Sequence, residues 1–389
     1  MDEKVRLLEN INFHQLAAQH PSLDQFFVGS QYNFDTHEGL IELAQVILLE
    51  YFQLKVQLDK TRLCPRIPNR LKYLRLVNSL VEQFKLGDSP LILDIGTGQT
   101  CIYPLLGSRL TSWRFIGTDI DERSLECAKK VLEQNNLSNG QIQLKLVQIG
   151  DDPFKDLEDC DVVMTNPPFY DETGIKQNKP DKPVLVGKPT ELATEGGESQ
   201  FIINMINHSV KYPNRNTVYS SLVGKYNSLE PVVGKLKELN ITNYGLSEFS
   251  NKTKRWIVFW TFNKNRPSDN IRITKRSTFN PDKHEIFIPL KNKINLVDFL
   301  SSIERTTMER ENEVIVFKTR GIVWSRKFRR TNGTNSLKEK ALAVESIFRI
   351  TELETKIKVH WCYGDDRAVF ESLLGLITRK TQQSTGESL

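Results

Sequence analysis

Cysteine is scarce and scattered: Cys64, Cys101, Cys127, Cys160 and Cys362 are the five in 389 residues, and no two form a Cys-x-x-Cys pair. That spacing argues against a structural zinc site and against a disulfide framework. The six histidines, His14, His20, His37, His208, His284 and His360, also fall at no ligand spacing, so no metal centre is expected. No stretch is long and apolar enough to span a bilayer, and the opening Met1-Asp2-Glu3-Lys4-Val5-Arg6 leads into no signal-peptide apolar region. A protein of the nucleus or cytosol with no membrane partner is therefore expected. Nor is there a large excess of charge. A net +5 is modest, so any case for nucleic acid must rest on where the cations cluster.

What is present is ordinary for a globular protein, with 39% hydrophobic and 26% charged residues. The length exceeds one small core and suggests two or three domains. The stretch around which the rest is ordered is Asp161 to Tyr170, Asp-Val-Val-Met-Thr-Asn-Pro-Pro-Phe-Tyr. An apolar strand runs into Asn166, two prolines and two aromatics, so it must end in a rigid elbow at the carboxyl edge of a sheet. Such an elbow suits methylation of a planar amine. The lone pair of an exocyclic amine is delocalised into its ring, so the nitrogen needs hydrogen-bond acceptors more than it needs a base. The side-chain oxygen of Asn166 and the main-chain carbonyl of Pro167 can each accept one N–H, Pro168 stiffens the turn, and Phe169 can stack on the ring. Catalysis of this kind is positioning by fixed dipoles.

Other strands supply a nucleoside pocket. Leu91 to Ile95 leads into Asp94-Ile95-Gly96-Thr97-Gly98-Gln99-Thr100, whose glycines allow a tight turn and close approach to a ligand. Cys101 stands at the third glycine position of the dinucleotide fingerprint, which points to a ligand smaller than a pyrophosphate. Arg114 to Thr118 ends at Asp119, placed to accept both ribose hydroxyls, while Asp121 fits the cap of a helix over 122–135. A strand over 143–147 precedes Asp151, a candidate for reading the adenine edge. Arg70, after Leu63-Cys64-Pro65-Arg66-Ile67-Pro68-Asn69 and at the start of a helix over 71–84, is placed to hold a carboxylate. The order of parts is that of a nucleoside-binding α/β sheet.

The remaining segments bear on substrate. Residues 1–62 read as an N-terminal extension with a helix over 39–54, packed on the main domain and helping to form a substrate groove. The polar run 171–198, carrying Lys176, Lys179, Lys182 and Lys188, reads as a substrate-engaging loop beside the elbow. A strand over 217–223 ends in Gly224-Lys225-Tyr226, and the hairpin 244–262 has a basic tip with Lys252, Lys254 and Arg255, suited to phosphate contact. The polar, basic run from Asn263 marks a linker over 263–280. A separate α+β domain over 281–389 follows, with strands across 313–330 and a helix from about Lys338. In it Lys318, Arg320, Arg326, Lys327, Arg329 and Arg330 alternate with Phe317, Trp324 and Phe328, a pattern suited to a basic strand surface for an RNA backbone. The alternative is a solubilising face over a half-buried sheet.

Taken together, Leu63-Cys64-Pro65 to Arg70, Asp94-Ile95-Gly96-Thr97-Gly98, Cys101-Ile102-Tyr103-Pro104-Leu105, Glu133 to Ser138, Asn166-Pro167-Pro168-Phe169 and Glu195-Gly196-Gly197-Glu198 resemble the methyltransferase-like 16 family over about residues 10 to 262. The resemblance implies a class I Rossmann-like fold using S-adenosyl-L-methionine, and adenine-N6 methylation of U6 spliceosomal RNA within its ACAGAGA box. It implies that Arg70, Gly96, Thr100, Asp119, Asp151 and Asn166 line the cofactor pocket, with Lys225, Lys252 and Arg255 on the RNA side. Asp119 stands where some relatives have glutamate, which accepts from ribose equally. A monomer of the nucleus is expected. Three other readings stay open from the residues: a ribosomal RNA adenine-N6 methyltransferase, a protein glutamine methyltransferase, since a side-chain amide is also a flat nitrogen, and a non-catalytic RNA-binding factor of splicing or translation.

Overall fold

A computed structural model describes residues 1–137, 140–148, 150, 160–171, 186–211, 217–250, 254–275, 277–292, 294–330 and 345–382. The chain divides into two compact units, Met1–Phe262 with Thr274–Phe279, and Asn263–Ile273 with Asn280–Leu389.

The first unit opens with helices α1 (Asp2–Glu9) and α2 (Phe13–Gln19) and a two-stranded hairpin, β1 (Phe27–Val28) and β2 (Gln31–Tyr32). Helix α3 (His37–Phe52) starts two residues before its apolar repeat because Thr36 caps it, its side chain accepting from Gly39 N at 3.3 Å. Helix α4 (Ile67–Phe84) begins a turn earlier than its apolar pattern suggests. Pro68 is tolerated in that first turn, where no intrahelical N–H bond is lost. Arg70 therefore lies within the helix.

A seven-stranded sheet follows, built from β3 (Leu91–Ile95), β4 (Arg114–Asp119), β5 (Ile142–Leu146), β6 (Val162–Thr165), β7 (Val218–Val223), β8 (Tyr244–Ser250) and β9 (Lys254–Thr261), in the order β5-β4-β3-β6-β7-β9-β8. The strands from β5 to β7 are parallel and the β8–β9 hairpin closes the edge antiparallel. Helices α5 (Ile102–Leu110), α6 (Glu122–Gln134), α7 (Pro189–Leu192), α8 (Gly197–Ser209) and α9 (Leu229–Glu238) connect them. Every residue of β6 and β7 is buried, as expected of central strands covered on both faces. The core gathers Leu93, Val163, Val258 and Trp260 from the sheet with Ile202, Ile206, Val232 and Leu236 from α8 and α9. Tyr219 stacks on Trp260 with ring centroids 5.6 Å apart.

The chain runs β3 to β5 outward, then returns to place β6 on the other side of β3. That reversal is the switch point at which open α/β sheets bind ligands. Register makes it sharp. Ile95 pairs with Thr118 on one side and Thr165 on the other, so Gly96, Asp119 and Asn166 leave three neighbouring strands side by side.

The second unit is a five-stranded antiparallel sheet in the order β10-β14-β13-β12-β11, made of β10 (Glu285–Pro289), β11 (Thr306–Glu311), β12 (Val314–Arg320), β13 (Glu345–Glu352) and β14 (Lys356–Tyr363). Helices α11 (Leu296–Ser301) and α13 (Arg367–Gln382) supply Leu300, Phe370 and Leu373 to a core with Phe317, Phe348 and Trp361. The polar segment expected as a linker is structured. Residues 263–273 belong to this second unit and 274–279 to the first. Arg266 donates from Nε to the Gly364 carbonyl at 2.8 Å and lies 4.5 Å over Trp361, while Arg272, in the short helix α10 (Asp269–Arg272), donates to Asp269 at 2.7 Å. The strand expected to continue to Arg330 stops at Arg320, where Gly321 takes φ 89°, and Arg326–Arg330 form the short helix α12. The helix expected from Lys338 begins outside the described residues. Among the described residues no helix is long and apolar enough to cross a membrane.

Candidate active site

At the switch point lies a cavity of about 1050 Å³. The glycine turn after β3, the end of β4 and the elbow after β6 line it, with Arg70, Gly96, Thr100, Asp119, Asn166 and Pro168 all on its wall. Gly96 and Gly98 take φ 73° and 70°, the left-handed region glycine favours. Cys101, at the third glycine position, is also left-handed, φ 39°, and stands at the N-cap of α5.

Asp119 is held by backbone N–H groups. Its Oδ2 accepts from Gly98 N and its Oδ1 from Asp121 N, both at 2.9 Å, with Ile120 N–H a third donor, which leaves the carboxylate acceptor capacity for a ligand hydroxyl. Burial raises its carboxyl above the ordinary value, opposed by those N–H groups. Asp94, fully buried beneath the turn, accepts from Thr97 Oγ1 at 2.7 Å, and burial pushes it up to about 7 against the pull of Thr97 and Arg70. Arg70 donates from Nη1 to Tyr103 Oη at 3.0 Å, and its Nε is buried without a partner among the described residues.

The elbow is fixed from both sides. Thr165 donates its hydroxyl to the Ile95 carbonyl at 2.8 Å, tying the end of β6 to the end of β3. Beyond Phe169, Tyr170 N donates to the Leu192 carbonyl and Thr194 N donates to Tyr170 O, each at 3.0 Å. Between these ties Asn166 Oδ1 is buried with no hydrogen-bond partner among the described residues. A buried acceptor left open on a cavity wall is one prepared for a ligand donor. Phe169 stands outside the residues lining the cavity, with its ring under the Arg255 guanidinium at 5.6 Å.

Asp121 caps α6 as expected, accepting from Arg123 N at 3.2 Å, but it does more. Arg62, nearly buried, pairs with Asp121 at 2.9 Å and with Glu191 at 3.2 Å, and Lys188 reaches Asp121 at 3.1 Å. Burial pushes the Asp121 carboxyl up, yet hydrogen bonds from Arg62, Lys188 and Ser124 hold it well below the usual carboxylate range. This cluster fastens residues 188–191 to the cavity rim. The sequence reading missed Arg62 and Glu191, which carry no local motif. It also left Asn135 without a role: its side chain exchanges hydrogen bonds with Lys55 N and O at 2.8 and 2.7 Å, stitching the N-terminal extension to α6.

On the substrate side, Lys225 lies 4.9 Å over the Tyr170 ring, and Arg255 donates to the Gly224 carbonyl at 2.9 Å. Asp151 and Lys252 lie outside the described residues. In the second unit Arg326 and Arg330 are exposed on α12, not on a strand, and Phe328 lies under Arg305 at 5.5 Å. Lys318, on β12, is paired with Glu309 at 2.7 Å. The side chains of Lys327 and Arg329 are outside the described set. Among the described residues no cluster of three or more potential ligands could hold a metal ion.

A family model described as RNA methyltransferase matches residues 1–264. The chain belongs to that family. It is 34% identical over 366 residues to the Schizosaccharomyces pombe U6 small nuclear RNA (adenine-(43)-N(6))-methyltransferase, covering 89% of this chain and 94% of that one. It is 33% identical over 274 residues to the Homo sapiens RNA N(6)-adenosine-methyltransferase METTL16, covering 64% of this chain and 48% of that one, so it matches about half the length of the human protein. Among solved structures it is similar to the human Mettl16 catalytic domain in complex with MAT2A 3′UTR hairpin 1, at 32% identity and TM-score 0.56, covering 65% of this chain and 91% of that chain. The human METTL16 N-terminal domain in complex with SAH matches at 31% identity and TM-score 0.54, covering 65% and 94%. The chain is thus a class I methyltransferase of the methyltransferase-like 16 group of RNA adenine-N6 methyltransferases, and S-adenosylmethionine is its cofactor. The residues fit that cofactor: Asp119 keeps open acceptors for ribose hydroxyls, and Arg70 Nε is an unused donor for a carboxylate.

Proposed function

We propose that the chain methylates N6 of an adenosine in U6 small nuclear RNA, within the ACAGAGA box, acting in the nucleus in support of pre-mRNA splicing. The similarity to the fission yeast U6 enzyme along nearly the whole of that protein supports the choice of RNA. The observation that carries the chemistry is the buried Oδ1 of Asn166 beside the glycine turn, without a partner among the described residues.

The chain's residues divide the work. Arg70, Gly96, Thr100, Asp119 and Asn166 hold the cofactor, which supplies an electrophilic methyl group on a sulfonium. Asn166 Oδ1 and the Pro167 carbonyl each accept one N–H of the adenine amine, drawing the nitrogen lone pair out of ring conjugation and toward the methyl group. Pro167 and Pro168 keep both acceptors from turning away. No strong base is required, because the proton becomes acidic only as the nitrogen gains charge. Lys225, Lys252 and Arg255 take the RNA backbone on this side. Arg326, Lys327, Arg329 and Arg330 of the second unit add sequence-independent affinity for it.

The test is transfer of labelled methyl from S-adenosylmethionine to transcribed U6 RNA, run beside ribosomal RNA fragments and a protein substrate, with the modified nucleoside identified afterwards. N6-methyladenosine in U6 alone is the expected result. Label only in ribosomal RNA or on glutamine would move the substrate, and RNA binding without label would leave a non-catalytic factor.

A further inference from the structure

Glu198 closes the Glu195-Gly196-Gly197-Glu198 motif, and nothing in the chemistry above uses it. It lies in the first turn of α8 with 2% of its surface exposed. A carboxylate that deep must be fully hydrogen-bonded to be tolerated. Its Oε2 accepts from Gly224 N at 2.7 Å, and its Oε1 from Lys225 N at 2.8 Å and from the Ser228 hydroxyl at 2.7 Å. All three donors belong to the turn that follows β7. One side chain therefore fixes the whole turn.

That turn touches the elbow three times. A Cβ on Gly224 would stand 2.7 Å from Phe169 Cδ1, so the glycine backbone is packed flat against the ring. The Gly224 carbonyl accepts from Arg255 Nη1 at 2.9 Å, which sets the guanidinium 5.6 Å over the same ring. The next residue, Lys225, carries its ammonium 4.9 Å over Tyr170. Both aromatics after Pro168 thus meet a cation whose position depends on one turn. With its N–H groups bound to Glu198, that turn is aligned to present its carbonyl to Arg255.

We infer that Glu198 is a positioning residue for the nucleic-acid substrate: by fixing the Gly224–Lys225 turn it sets where Phe169 and Tyr170 stand and where the Lys225 and Arg255 cations meet the substrate. The glycine turn after β3 and Asp119 at the end of β4 make no hydrogen bond with Glu198, whose partners among the described residues all lie on the turn after β7. The inference rests on the chain's acting on RNA, as proposed above.

Glu198→Gln keeps the shape but leaves one acceptor oxygen for three donors. Gly224→Ala keeps the carboxylate but pushes a methyl group into the Phe169 ring and to 3.0 Å from Glu198 Oε2, so it perturbs the turn from its own side. Both should raise the KM for U6 RNA by roughly tenfold or more, about the worth of one charge-assisted contact to the substrate. Affinity for S-adenosylhomocysteine, measured by calorimetry, should stay within about twofold. An RNA KM unchanged in both variants, or cofactor affinity falling in step with RNA affinity, would overturn the assignment, while the wild-type chain on the same RNA keeps the two readings apart. Transfer by wild type with unaltered variants sinks the role of Glu198 alone. No transfer by wild type sinks the choice of substrate and this role together.

Discussion

Replacing Asn166 by alanine should move stability and activity in opposite directions. In the free protein the Asn166 Oδ1 is buried without a partner among the described residues, and an unsatisfied buried acceptor of this kind costs about 1–3 kcal/mol. Truncation removes that penalty. It also removes packing from a side chain that is only half-buried, so the net gain expected is about 1 kcal/mol. For a unit of this size, about 1 kcal/mol corresponds to a rise of roughly 2–4 °C in the unfolding transition. The same truncation deletes an acceptor aimed at an amine that gains positive charge, and losing one such preorganised group costs about 10²–10³ in kcat. RNA affinity should change by no more than severalfold, since the phosphate contacts are elsewhere. Scanning calorimetry of the cofactor-free protein and single-turnover transfer on U6 RNA measure the two sides. A variant that melts several degrees lower would show that the amide is bound within the fold, and one that retains transfer would refute the assigned chemistry.

The pH dependence of stability should carry the mark of Asp94, whose carboxyl is pushed up to about 7 by burial. With its folded value above an unfolded value near 3.9, the folded state keeps a proton that the unfolded chain gives up; this stabilisation is complete below about pH 4 and lost as pH rises to 7, up to about 4 kcal/mol. Asp94→Asn cannot titrate, so its stability relative to wild type should climb across that window in urea unfolding; a pH-independent difference would contradict the burial argument. Arg62→Met removes the guanidinium that Asp121 and Glu191 share, leaving Asp121 with Lys188 and Ser124, and should destabilise the first unit by about 2 kcal/mol, whereas an unchanged urea midpoint would mean that solvent already screens both carboxylates. Alanine at Arg326, Lys327, Arg329 and Arg330 together should weaken RNA binding and flatten its dependence on salt, by up to about 0.9 in log–log slope for each phosphate no longer neutralised. If the slope is unchanged, α12 has another partner.

The centre of the first unit's sheet was legible because β3 and β6 are apolar runs ending near a residue with a marked backbone preference: Gly96 after β3, Pro167 soon after β6. The ligand side of the sheet could be read for the same reason, since Asp119 and Asn166 stand directly at strand ends. Helix α4 runs further back than its apolar repeat because Pro68 falls in the first turn, which accepts one. The basic run after β12 alternates aromatic and cationic residues and so imitates a strand, but Gly321 turns the chain before the alternation is complete. The Arg62 cluster joins residues 59 and 129 positions apart, and neither end has a local pattern. Contacts of that kind come from topology, which periodicity does not contain.

Parallel pairing between β3 and β6 has a consequence for how this enzyme could change. The glycine turn and the Asn-Pro-Pro elbow leave adjacent strands, so the two loops start one sheet repeat apart, about 4.8 Å, and no side chain can alter it. A one-residue deletion within β6 would shift Asn166 by about 3.3 Å and turn it to the opposite face. The β8–β9 hairpin closes the edge of the sheet, with β7 between it and β6, so its outward residues are free of that constraint. Divergence, or a designer, could therefore redraw which nucleic acid is held while the reacting centre stays frozen, and a change of substrate in this architecture should be sought at the edge.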